Sequence, residues 1–386
     1  MEKQMLKQLV EHYKQDGAHP KLAYRLAADH IDGLLTEGQI KPEDFSIRQM
    51  FEELVDLPAG LRDDAEAVAE AINTSGFPTI ASKVIHKKVI DSYTTALGSV
   101  AELVTEDDAT NTEKEIVAGM EAADTTPLLR RQGMAYEETG FGEKFWQISM
   151  HDFGRMISLT REVIFEDKTG KVMQTAQGIG KSVGNHKAKM IIQTITGQVR
   201  TAIESTYGGA VYKGTVKTAA NMYADTHATT FDGQVNDNLA ASNALADYTD
   251  IDNILQLFAK MKDESGEAIE VTPTHILVPL ALQTLLTRIL SGVNLLGSAL
   301  VPAMNPIQTL GNFKPVSSIY MADTSTWFMG DFAKQILWLN VFPLETKAQG
   351  ADSNLAFTNQ IVARFRVSYH GGCGHTDYRH IVKATS

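Results

Sequence analysis

The chain has 386 residues, 43% of them hydrophobic and 21% charged, a globular composition that is ample for a core divided among two or three lobes. Its formal charge is −12, from 35 basic against 47 acidic residues, which excludes a broad phosphate-gripping surface, because that contact needs clustered lysine and arginine. The single cysteine, Cys373, excludes an intrachain disulfide. The N-terminus MEKQMLKQLVEHYKQDG lacks the apolar run of a secretory signal, so a cytosolic origin is expected. The most apolar region, Leu285 to Met304, is interrupted by Arg288, Asn294, two glycines and Pro302, so no membrane segment is expected.

From Met1 to about Ser75 the pattern is charged and helical. Met5, Leu6, Leu9 and Val10 make one apolar stripe; Leu22, Leu26, Ile31, Leu34 and Leu35 continue it; Phe51, Leu54 and Val55 follow Pro42 and an acidic first turn. These narrow faces suit a small helical bundle or appendage, or a separable assembly or scaffolding segment, and both readings stay open. The break falls at Ser75, Gly76 and Pro78. Ile80 to Leu103 then reads as one helix, with Ile80, Val84, Ile85, Val89 and Tyr93 at three- and four-residue spacing. The polar run TEDDATNTEKE suggests an extended arm. Leu128 to Lys144 and Phe145 to Arg161 read as two extended limbs around a glycine-rich reversal, TGFGEK. Arg130, Arg131, Glu137, Glu138, Glu143 and Lys144 are scattered along this hairpin, which has too few apolar residues for its own core and must lie on something else.

Lys171 to about Tyr207 is helical in pattern and would run roughly 50 Å at 1.5 Å per residue. Gly180, Gly184 and Gly197 predict a bend or interruption, since each costs up to about 1 kcal/mol relative to alanine. A region rich in glycine, asparagine and threonine leads to Asp247, and a helix is expected over Ile251 to Lys262. A buried strand follows at His275 to Val278, with a helix opening at Pro279, where a missing amide is harmless. Ser317 to Met321, Thr326 to Met329 and Gln335 to Leu339 are short β-like runs. Ile361 to Tyr369 alternates, with Ile361, Ala363, Phe365, Val367 and Tyr369 on one side and Arg364, Arg366 and Ser368 on the other.

Several clusters invite a chemical reading. His370, Cys373, His375, Asp377 and His380 crowd into YHGGCGHTDYRH, all acceptable to zinc, yet the spacing matches no finger or HExxH helix, and a glycine-rich turn between two strands explains them. Neither GxSxG nor a papain-like cysteine context is present. GIGKSVG lacks the full spacing of a phosphate-binding loop and reads as helix. Glu162, Glu166 and Asp167 could serve as acid and base, but nothing announces a cleft, and Asp167 or Thr169 is explained as an N-cap of the following helix. Phe141, Phe145, Trp146 and Phe153 suit packing better than base stacking in so acidic a chain. No catalytic, cofactor or metal residue is therefore assigned.

The pieces FPTIASKVIHKKVIDSYTTA, GRMISLTREVIFED followed by GIGKSVG, IEVTPTHILVPLALQTLL and FRVSYHGGCGHTDYR, taken in order, resemble successive landmarks of tailed-phage major capsid proteins. The nearest resemblance is to the Mu-like major head subunit group with the Hong-Kong-ninety-seven-type fold, and it covers about Ser75 to Ala384. It implies an α+β phage major capsid fold. Residues 1–74 would be a helical N-terminal segment, scaffold-like in one reading; 75–127 an N-terminal helix and arm; 128–153 the E-loop. Residues 154–230 would form the peripheral domain with its spine helix, 231–340 mainly the axial domain, and 341–386 C-terminal strands returning to the peripheral domain. In such capsids the arm lies across a neighbouring subunit, which makes Arg130, Arg131, Glu138, Lys144, Trp146, Arg161 and Glu162 candidate intersubunit contacts and Asp167 and Thr169 candidate caps.

Some relatives crosslink an E-loop lysine; Lys144 lies in that region, but no partner asparagine or glutamate is assigned and no crosslink is expected. The implied function is a structural virion protein, not an enzyme and with no cofactor, assembled in the host cytoplasm. It would form pentamers and hexamers of an icosahedral head around double-stranded DNA held without tight sequence-specific binding. Scaffold, portal and decoration proteins are the expected partners, and a membrane is not. An encapsulin-like protein compartment is the alternative, and a metal-dependent hydrolase using His370, Cys373, His375 and Asp377 is a further one.

Overall fold

The polypeptide opens with helices α1 (Met5–Gln15), α2 (Pro20–Thr36), α3 (Ile47–Leu54), α4 (Ala65–Thr74) and α5 (Phe77–Leu97). These coordinates come from a computed structural model, which describes residues 5–15, 19–42, 47–55, 65–74, 77–122, 141–160, 162–163, 170–197, 215–216, 222–228, 235–263, 266–291, 312–350 and 359–386. Pro20 occupies the first turn of α2, where its fixed φ favours the helix and its missing amide costs nothing. A 3₁₀ turn, Gly98–Leu103, ends the stretch expected as one helix. Strands β1 (Thr105–Asp108), β2 (Lys114–Ala122), β3 (Phe141–Ser149) and β4 (His151–Thr160) follow, then helix α6 (Lys171–Thr196). Short strands β5 (Thr215–Val216), β6 (His227–Ala228), β7 (Val235–Asn236) and β8 (Leu239–Ala240) precede helix α7 (Tyr248–Phe258). Strand β9 (His275–Pro279), helix α8 (Gln283–Ser291), strands β10 (Lys314–Ser318) and β11 (Trp327–Gly330) and the one-turn helix α9 (Phe332–Gln335) come next. Strands β12 (Ile336–Gly350), β13 (Ile361–His375) and β14 (Ile381–Ala384) complete an α+β architecture.

The chain divides into two compact units, of which the first comprises Met1–Gly98, Asp152–Lys187 and Phe342–His370. One continuous core runs through it. Leu6, Val10, Ile31, Leu35, Ile47, Met50, Phe51, Val68 and Ile72 of the N-terminal helices are buried together with Phe77, Ile80, Val84, Ile85 and Val89 of α5. Ile157 and Leu159 of β4, Val172, Met173 and Ala176 of α6, and Val362, Phe365 and Val367 of β13 complete it. Within this unit the segments of β12, β13 and β4 lie side by side in that order. Ala363, Phe365, Val367 and Tyr369 are buried and Arg366 is exposed, as the two-residue period expects, but Val362 and Ser368, on the opposite side of the strand, are buried as well.

Helix α6 corrects an expectation. It runs unbroken through Gly180 and Gly184 and stops before Gly197, whose φ of +68° ends it. Gly180 and Gly184 mark close approach rather than a bend. A Cβ on Gly180 would stand 2.5 Å from the carbonyl oxygen of Val89, and one on Gly184 2.6 Å from that of Tyr93, so α5 and α6 touch backbone to backbone.

The second unit comprises Ser99–His151, Ala188–Val341 and Gly371–Ser386. Its main sheet has the order β10-β9-β11-β14-β8, with β10 parallel and β11 antiparallel to β9, and β14 antiparallel to β11. The four residues of β11, Trp327 to Gly330, are all buried, as a central strand covered on both faces requires. Ile251, Ile254 and Phe258 of α7 and Leu286 and Ile289 of α8 pack with Ile276, Val278, Trp327, Met329 and Val382 in one core. Helix α7 begins at a capping box: Asp247 accepts from the Thr249 amide at 2.7 Å, and Asp250 accepts from the Asp247 amide at 2.9 Å. The helix expected to open at Pro279 opens at Gln283, after a 3₁₀ turn over Leu280–Leu282.

Two further expectations change in this unit. Strand β3 passes straight through Gly142, Glu143 and Lys144, so TGFGEK is not a reversal that separates two limbs there. The hairpin partner of β3 is β2, antiparallel, with Lys114 opposite Ser149 and Ala122 opposite Phe141. The run YHGGCGH is likewise no turn: β13 extends through it to His375. Its glycines are there for space. A Cβ on Gly371 would lie 2.6 Å from the Leu339 carbonyl oxygen and 3.1 Å from the Trp338 indole nitrogen, one on Gly374 2.5 Å from Ile148, and one on Gly372 would overlap the Ser149 carbonyl.

Candidate intersubunit surface

The outward face of the β12–β13–β4 segments in the first unit carries an open groove of about 490 Å³. Strand β4 aims Phe153, Ile157 and Leu159 into the core and leaves Asp152, Gly154, Met156 and Ser158 exposed, so its even-numbered residues line the outside. Gly154 adds no side chain to the groove, and a Cβ there would meet the Val367 carbonyl oxygen at 3.1 Å. Phe342 stands at one wall with its ring 6.0 Å from that of His370, and Glu345, Lys347 and Arg366 stand at another. Met156 is 56% exposed and Phe342 57%, large apolar side chains left in water on a strand surface that is otherwise polar.

Three of the charges around them form an ion trio. Glu345 lies 2.9 Å from Lys347 and 3.3 Å from Arg366. The hydrogen bond from Lys347 first, and then the charges of Lys347 and Arg366, hold the Glu345 carboxyl below its ordinary range. An ion trio of this kind beside two exposed apolar side chains has the makeup of a protein contact, with an apolar centre and a polar rim. The groove is open, and Glu345 within it is committed to Lys347 and Arg366.

The residues singled out from sequence fall as follows. Arg130, Arg131, Glu138, Arg161, Glu166, Asp167 and Thr169 lie outside the described residues. Lys144 and Trp146 sit on β3, opposite Gly119 and Val117, and the positions of their side chains lie outside the described part. Glu162 is exposed in a helical turn at 162–163. Phe153 packs rather than presents itself, its ring 5.2 Å from Tyr369 and 4.7 Å from His186. Of the metal candidates, His370 belongs to the groove, whereas Cys373 and His375 are buried along β13. Asp377 accepts from Arg379 Nε at 3.1 Å to each oxygen and from its terminal nitrogen at 3.0 Å, with His380 at 3.7 Å. Burial would raise the Asp377 carboxyl, but the Arg379 charge and its hydrogen bonds outweigh that and lower it. Among the described residues no group of three or more His, Cys, Asp or Glu is arranged to hold a metal ion. Sequence reading had marked Arg366 as outward-facing but passed over Met156, Phe342, Glu345 and Lys347. An apolar residue at Met156, on the exposed parity of β4, was the available signal.

Comparison with known proteins places this surface in context. No curated protein matches the chain. Among solved structures, the capsid of the native GTA particle shares 12% identity over 75% of this chain and 90% of that one, with a TM-score of 0.47. The capsid of Cyanophage P-SCSP1u shares 10% over 74% and 87%, with a TM-score of 0.44, and Mycobacterium phage Patience 12% over 86% and 91%, with 0.43. Likeness at that level carries no argument. The sequence model described as phage capsid protein, by contrast, matches residues 146–384, well over half of the chain and including β4, α6, β12 and β13. The chain belongs to the phage capsid protein family, as a structural capsid protein.

Proposed function

We propose that this protein is the repeating wall subunit of an icosahedral head that encloses double-stranded DNA, assembled in the host cytoplasm from pentamers and hexamers of the one chain. Family membership carries the reading. Its working is geometric, with no catalytic step: the two units give rigid mass, and the β2–β3 hairpin reaches over a neighbouring subunit. Lys144 and Trp146 on that hairpin, with Arg130, Arg131, Glu138, Arg161 and Glu162 near it in sequence, are the proposed contacts on the reaching side. The groove around Met156 and Phe342 is the proposed receiving side. The hairpin belongs to a narrow sheet, β2-β3-β5, in which β5 has only two residues, and so small a sheet gains stability by covering such a surface. A net charge of −12 suits a wall that holds packaged DNA without gripping its phosphates. Scaffold, portal and decoration proteins are proposed as further partners, and Asp167 and Thr169 as caps of the helix that follows them.

Electron microscopy of the expressed protein, alone and with a co-expressed scaffold protein, tests this reading. Closed shells of uniform size are expected. A chain that stays monomeric under both conditions would contradict it, and shells that hold protein cargo but no nucleic acid in their native setting would favour a compartment instead.

A further inference from the structure

We infer that residues 1–74 are a permanent part of the subunit, retained in the finished particle, and that they serve as a built-in cover for the apolar face of α5. Phe77, Ile80, Ala81, Val84, Ile85 and Val89 are all fully buried. At about 100° per residue they occupy roughly half of the circumference of α5, a face too wide for one partner helix. Gly180 and Gly184 of α6 approach α5 in its C-terminal half, at Val89, Ser92, Tyr93, Ala96 and Leu97. Helices α2, α3 and α4 also pack on α5, α3 at Phe77 and α2 at Lys83.

The contact between them is made as a core is made. Phe51 meets Phe77 edge-on with ring centres 6.1 Å apart. Ile31, Leu35, Met50, Val68 and Ile72 share one apolar cluster with α5 and with Phe365 and Val367 of β13. On its margin Lys83 reaches back to Asp32 at 2.8 Å and to Asp29 at 3.7 Å. A segment built to be removed keeps its own core and touches the rest through a surface that water can afterwards wet. Here removal would strip the N-terminal side of the cluster from Phe77, Ile80, Val84 and Ile85, leaving apolar surface that is an aggregation liability in the isolated subunit.

The test uses the full chain with a site-specific protease sequence inserted between Thr74 and Phe77. After cutting, the two pieces are expected to co-elute at the size of the intact molecule, with unchanged far-UV circular dichroism. Release of the N-terminal piece followed by precipitation of the remainder would also support the inference, whereas release that leaves the remainder soluble and folded would overturn it. A Phe51→Ala variant gives a second reading without cutting. Amide exchange in α5 is expected to accelerate at least tenfold, and unchanged exchange there would count against a shared core. The particle arm rests on the shell reading: mass spectrometry of subunits from DNA-filled heads should find residues 1–74 still joined to the rest, and heads whose subunits lack residues 1–74 would overturn retention. Failure to form shells bears on the shell reading alone, because the cutting experiment needs no assembly.

Discussion

The phenolic oxygen of Tyr369 lies 2.6 Å from Nδ1 of His186, so that β13 and α6 are joined by a polar contact inside an aromatic layer completed by Phe153. Tyr369→Phe keeps the ring stack and removes only this hydrogen bond. It is expected to lower stability by about 1–3 kcal/mol, because a partly buried imidazole nitrogen loses a partner. Phe153→Ala should cost more, about 3–5 kcal/mol, by opening a cavity against both rings. Urea denaturation of the two variants gives the order directly.

Two glycines in the same helix make opposite predictions. Gly184→Ala drives a methyl group to 2.6 Å from the Tyr93 carbonyl and 2.8 Å from the Ala96 Cβ, so α5 and α6 must separate, at a cost of about 1–3 kcal/mol. Gly178→Ala meets nothing within 4 Å and should stabilise α6 by up to about 1 kcal/mol. Thermal melts of the pair would show one midpoint fall and the other rise.

Acid should weaken the fold in two stages. His86, His227 and His380 are all held below the ordinary 6.5, burial being the foremost cause in each. A group of this sign contributes stability above its unfolded pKa that is lost as pH falls through the folded value, because the unfolded chain takes up the proton first. The first loss is therefore expected as pH falls below about 6.5. Asp323, held at about 2 by the Thr326 hydroxyl first and then by Ser325, and Asp377, held low by Arg379 against the opposing effect of burial, obey the same sign and produce the second loss below about pH 4. Denaturant midpoints measured from pH 8 to pH 3 would trace both.

Asp377→Asn separates the carboxylate from the rest of that profile. Arg379 is almost wholly buried against Asp377, and a neutral amide removes the opposite charge that faces it. A loss of about 3–5 kcal/mol is expected. Asp377→Ala combined with Arg379→Ala should cost less than the sum of the two single changes, because neither then strands a charge. A double-mutant cycle in urea measures the difference.

How much of this was legible beforehand depended on how local the cause was. The two-residue period of Ala363, Phe365, Val367 and Tyr369 and the helical stripes of α1, α3 and α5 follow from neighbours a few positions apart and can be read directly. In α2, by contrast, Leu22 and Leu26, expected on the apolar stripe, are exposed, and Ala23, Ala27 and Ala28 share the buried face with Ile31 and Leu35. The glycines of YHGGCGH and of α6 resemble turns and breaks by local propensity. Their reason is the distant backbone of Leu339, Ser149, Val89 and Tyr93, which no window of sequence contains. The same holds for β3, whose partner β2 is set by pairing across the chain rather than by the glycines of TGFGEK. In the groove, Arg366 was legible as an outward residue, but its meeting with Glu345, Met156 and Phe342 joins three strands far apart in sequence.

The central claim is that the groove is covered by a neighbouring subunit in a closed shell. A three-dimensional reconstruction of assembled particles by electron cryomicroscopy tests it most directly. The account predicts density from an adjacent copy of the chain lying over Met156 and Phe342 at every position of the lattice. A groove left open to solvent throughout a well-formed shell would contradict it.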